Sequence, residues 1–144
     1  MAFAMKIVYY RKPVMPGLRN WSLILMSTST EGTEFTLQVP SRDGDITLAK
    51  PTAKPTDPTH DEGFLCMLHA GKVESRRYAE FCAIVANTPV PCNVANAKAA
   101  QWTPLDWVVT ILEQLHAKGF SVRKDGKGEL KQEVEKQMKR SRVA

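Results

Sequence analysis

Few residues in this chain can move a proton. His69 closes the apolar run Phe64-Leu-Cys-Met-Leu68, and an imidazole there could serve as acid or base near neutral pH. His60 stands beside Asp61 and Glu62, where neighbouring carboxylates suit a histidine that titrates near neutrality. Asp106 supplies a carboxylate three residues after Thr103. His69, Asp106 and His60 are therefore the candidate acid–base residues. Thr103 has a hydroxyl but no adjoining histidine to activate it, and helix capping already explains it. His116 falls in the last turn of a helix, where its cationic form suits the dipole.

The three cysteines, Cys66, Cys82 and Cys92, are odd in number and widely spaced, which argues against a disulfide framework and for a cytoplasmic default. Cys66 and Cys82 sit in apolar patterns and read as inert core thiols, whereas Cys92 follows Pro91 and reads as exposed. No Cys/His set has zinc spacing; Cys66 and His69 are three apart on an expected strand and face opposite ways. Phosphate loops, dinucleotide fingerprints, metalloprotease motifs and nucleophile elbows are absent from the sequence, so no cofactor is expected.

The elements that must carry these residues follow from the apolar pattern. Residues 3–10 and Trp21 to Ser27 read as strands, the second apolar on both faces and hence central. Thr33 to Val39 alternates, with Phe35, Leu37 and Val39 inward, and Ile46 with Leu48 suggests a short further strand. Residues 50–63 hold Pro51, Pro55 and Pro58 without an apolar period and read as a long loop. Phe64 to His69 resumes as a buried strand. Glu74 to Asn87 reads as a helix with Tyr78, Phe81, Cys82 and Val85 on one stripe. Residues 90–101 fit either a short strand or a helical turn.

Thr103-Pro-Leu-Asp106 is the sharpest local signal. Thr fits an N-cap, Pro the first helical position, and Asp the positive helix end. Leu105, Val108, Val109, Leu112 and Leu115 then supply a buried stripe, and Gly119 the stop. Phe120 to Arg123 suggests a closing strand. A link at 124–128 leads to a charged helix over 129–142, where Leu130, Val134 and Met138 form a thin stripe. That stripe docks weakly on the body or packs on a partner helix, as in a homodimer.

Strands clustered before helices predict an α+β fold: a mainly antiparallel sheet of about five strands against two helices, plus the C-terminal helix. With 144 residues, 43% apolar and 24% charged, the expectation is one domain over 1–123 and a basic helical tail over 124–144. The net charge of +5 is mostly the tail's, since residues 123–144 carry 8 basic and 4 acidic side chains. That tail has no aromatic residue to stack on bases, so nucleic acid is not the expected partner. No apolar run is long enough to span a bilayer, and no secretory signal is expected.

One wider pattern joins several of these segments. Asn20-Trp-Ser-Leu-Ile-Leu25, Phe64-Leu-Cys-Met-Leu-His-Ala-Gly-Lys-Val73, Pro89-Val-Pro91 and Trp107-Val108 follow the layout of certain uncharacterised fungal proteins. Those resemble permuted papain-like domains of the lecithin-retinol-acyltransferase type. The resemblance implies a His just before the Trp of a core strand and a Cys three residues before a Trp-Val helix. Here those positions are Asn20 and Pro104, so Cys–His hydrolysis is not expected. The resemblance also implies that Asn20, Trp21, Trp102, Thr103 and Asp106 line the former active-site cleft, a seat for a small ligand. Two functions fit: a non-hydrolytic protein that binds a small molecule or a protein partner, or a cofactor-independent isomerase, cyclase or lyase using acid–base groups in that cleft.

Overall fold

A computed structural model describes residues 2–10, 20–28, 31–39, 44–49, 52–54 and 64–143. Its strands are β1 (Ala2–Tyr10), β2 (Trp21–Met26), β3 (Gly32–Phe35), β4 (Leu37–Gln38), β5 (Thr47–Leu48), β6 (Thr52–Lys54), β7 (Phe64–Glu74) and β8 (Ser121–Val122). A 3-10 turn, Ser75–Arg77, leads into α1 (Tyr78–Asn87), followed by α2 (Val94–Ala99), α3 (Pro104–Ala117) and α4 (Lys127–Val143).

The fold is α+β, as the order of elements predicts. Among the described residues the main sheet has six strands in the order β6-β3-β2-β1-β7-β8, every neighbouring pair antiparallel. The sixth strand is β6, inside the segment expected to be a loop without structure. Thr52, Ala53 and Lys54 carry no apolar period, and their main-chain ladder to β3 holds them. The rest of 50–63 lies outside the described residues. The expected strand over 33–39 divides at Thr36: β3 stays in the main sheet, while β4 pairs with β5 in a separate ribbon. The ambiguous 90–101 region resolves into α2. Asn93 caps it, its Oδ1 accepting from the Asn96 N–H at 2.8 Å, and residues 92–94 bond back to Gly44 and Ile46.

All six residues of β2 are buried, as their two apolar faces require. Leu23, Leu25, Met5, Ile7, Leu68 and Val73 face α1, α3 and α4, where they meet Phe81, Trp107, Ile111, Leu112 and Leu115 in one core. Each such side chain removed from water contributes about 1.5–3 kcal/mol before entropy is charged against it. The other face of the sheet carries a smaller cluster of Val8, Tyr10, Ile24 and Met26, with Ala4 and Met67 at its margin.

Strand β7 runs longer than the apolar pattern suggests and is bulged. Met5 pairs with Gly71 but Lys6 pairs with His69, so Ala70 is an extra residue. Gly71 follows at φ 147°, and a Cβ there would stand 2.2 Å from the Ser121 carbonyl oxygen. Only glycine allows β8 this close.

Helix α4 begins at Lys127, two residues earlier than expected. Leu130 and Val134 are buried and Met138 is half-buried, all within the same core as β7 and α3. Leu130 and Val134 of the thin stripe pack on the chain's own sheet and α3, and Met138 does so only in part.

Candidate functional site

Helix α4 crosses the sheet and leaves a groove of about 410 Å³. Tyr9 and Trp21 form its floor. They sit opposite one another in the β1–β2 ladder, with ring centroids 4.6 Å apart and planes tilted by 42°. Val134 and Met138 of α4 make an apolar wall, Lys131 and Glu135 lie one turn apart on its exposed side, and Thr103 closes the end.

Thr103 and Asp106 meet as the sequence predicts. The Thr103 N–H donates to Asp106 Oδ2 at 2.7 Å, and the Thr103 hydroxyl donates to the same oxygen at 3.3 Å. Lys127 Nζ lies 3.1 Å from that oxygen as well. The carboxylate thus caps α3 and ties the first turn of α4 to it. A proton-transfer role would have to compete with all three contacts.

The other predicted residues do not join them. Asn20 alternates with Trp21 and turns to the opposite face, where its Oδ1 accepts from the Thr36 hydroxyl at 3.3 Å; Ser22 donates to the same Thr36 oxygen at 2.8 Å. Trp102 is half-buried against the core, outside the groove lining, and its main-chain N–H donates to the Ala97 carbonyl at 2.8 Å. His69 is exposed on the outer face of the sheet, with Nδ1 3.2 Å from Lys6 Nζ. Partial burial, then the nearby charges of Lys6, Lys72 and Arg123, hold its pKa below the usual imidazole value. His60 lies outside the described residues. His116 is exposed in the last turn of α3, as expected.

Cys66 is buried, as its apolar pattern predicts, and its thiol donates to Gln137 Oε1 of α4 at 3.1 Å. Burial, reinforced by the Glu133 charge, pushes the thiol up to about 11, far from a reactive thiolate. Cys82 is half-buried and Cys92 exposed. Among the described residues no three His, Cys, Asp or Glu side chains gather as metal ligands would, and no helix is long and apolar enough to cross a membrane.

Sequence reasoning misses Tyr9 and the four α4 residues of the groove. Tyr9 shares the inward face with Met5 and Ile7, so strand alternation could have placed it beside Trp21. The α4 wall carried an apolar signal but none that named its destination. No protein-family profile matches the chain, and no curated protein or solved structure is significantly similar to it.

Proposed function

We propose that this is a non-catalytic binding protein whose ligand seat is the groove between the Tyr9–Trp21 pair and α4. The observation that carries this reading is the groove itself, with an aromatic floor, an apolar wall and one charged edge. A volume of about 410 Å³ suits a small molecule. Tyr9, Trp21 and Met138 favour a flat apolar body, and Lys131 with Glu135 offers polar contacts at its rim. The two candidate acid–base residues in the described structure stand apart, His69 on the outer face and Asp106 at the α3 cap on the helix side. The isomerase, cyclase or lyase alternative draws no support from that arrangement.

The relationship to permuted papain-like domains is part of the same reading. The meeting of Trp21 with Thr103 at one groove supports it. Asn20, at the family's His position, points away, and Pro104, at its Cys position, carries no nucleophile. Both departures favour binding over hydrolysis.

The test is a titration of the full chain with flat aromatic fragments (indole, quinoline, 2-naphthol), followed by NMR at the Trp21 indole N–H and the Met138 methyl. Saturable shifts at both are expected in the unmodified chain, and Met138→Asp should abolish the shift at Trp21. Fragments that saturate neither signal would overturn the reading.

A further inference from the structure

The bulge in β7 changes which residues share a face. In a regular strand His69 and Lys72, three apart, would point to opposite sides. The extra residue Ala70 restores them to one side: His69 pairs with Lys6 and Lys72 with Ala4, and Lys6 and Ala4 both lie on the outer face. Lys6, His69 and Lys72 therefore share one face, and Lys6, 3.2 Å from His69, lines a second concavity of about 440 Å³ whose residue Ala4 pairs with Lys72. Its floor is Ala4, Met26 and Met67, Lys6 stands at its side, and Ser27 and Thr28 border it.

The charges there are unbalanced. Among the described residues Lys6 and Lys72 form no ion pair, and the one hydrogen-bond partner of the Lys6 ammonium is an imidazole nitrogen. An ammonium can only donate, so His69 Nδ1 must accept and the ring proton sits on Nε2. That leaves a second fixed donor beside the first. Behind them the Arg123 guanidinium donates to the His69 carbonyl at 3.2 Å, but Asp125 and Glu133 already pair with it.

We propose that this outer-face pocket binds a small amphipathic monocarboxylate, its head group on Lys6 and His69 beside Lys72, its apolar chain over Ala4, Met26 and Met67. Cations without a carboxylate partner supply the charge complement, and the thioether and methyl floor supplies the preference for an apolar chain over a bare anion. This site lies across the sheet from the Tyr9–Trp21 groove and does not depend on it.

The probe is octanoate, titrated into the full chain and followed by NMR at the Met26 and Met67 methyls and the His69 ring. Saturable shifts at both methyls are expected, with the His69 pKa rising on binding as the carboxylate offsets the Lys6, Lys72 and Arg123 charges. Lys6→Gln should weaken octanoate about tenfold and Lys72→Gln about twofold to threefold, in chains whose spectra otherwise remain native. Equal affinity for octan-1-ol would overturn the proposal, because the charges would then be idle. Equal affinity for inorganic phosphate would overturn it too, because the apolar floor would be idle. So would unchanged binding in Lys6→Gln, or shifts confined to Met138 in the groove.

Discussion

The two faces of the sheet are built from the same strands and differ in how they treat polar groups. On the helix side the polar groups have answered one another: Asp106 caps α3 and pairs with Lys127, and Cys66 bonds to Gln137. On the outer side Lys6 leans on a neutral imidazole, and Lys72 forms no ion pair among the described residues. A satisfied polar group stabilises a fold, and an unmatched cation is available to something else. The helix face therefore holds the larger core, and the Lys6 end of the outer face holds cations without a carboxylate partner among the described residues.

Four substitutions probe that contrast. Trp107→Ala, at the fully buried centre of the helix-side core, should cost about 3–5 kcal/mol in urea unfolding; a loss under 1 kcal/mol would mean this face is not the core. Leu130→Ala should cost about 2–5 kcal/mol, because α4 belongs to the same core. It should also expose Cys66, which in the intact protein resists iodoacetamide at pH 8 while Cys92 reacts. Mass mapping of the alkylated cysteines reads this directly, and rapid labelling of Cys66 in the unmodified chain would break the docking of α4. Thr103→Ala should cost about 0.5–2 kcal/mol, the usual size of a lost helix cap, and leave fragment binding at Trp21 within a few fold. Lys6→Gln, on the outer face, should change stability by less than about 0.5 kcal/mol. A larger loss would show that Lys6 serves the fold and would erase the contrast.

How much of this was legible in the sequence depends on how local each contact is. The α3 cap was legible because Thr103, Pro104 and Asp106 meet within one helical turn. The burial of β2 was legible because both of its faces are apolar. The Phe35-Leu37-Val39 alternation correctly marked inward side chains, yet it could not show that the chain leaves the main sheet at Thr36, whose hydroxyl is held by Ser22 and Asn20. Alternation reports burial and says nothing of which ladder a strand joins, which is also why β6 escaped notice. Of the groove lining, Trp21 and Thr103 were named only through the resemblance, and Tyr9 was within reach of strand alternation. The α4 wall was not, since Val134 and Met138 find their partners on strands from the other end of the chain. Nor was the bulge, because Ala70 is extra only relative to the register of β1.

The margins of the sheet carry a consequence for how these molecules meet one another. Strand β6 has three residues and β8 two, so neither offers a second chain much unpaired main chain to extend. Beyond β8 the exposed rim of β7 is guarded by Arg123, whose main-chain N–H donates to the Ala70 carbonyl at 2.8 Å and whose guanidinium covers the carbonyl of His69. A foreign strand seeking that rim would have to dislodge a cation anchored by both Asp125 and Glu133. Crowded copies of this chain are thereby discouraged from zipping into fibrils along β7.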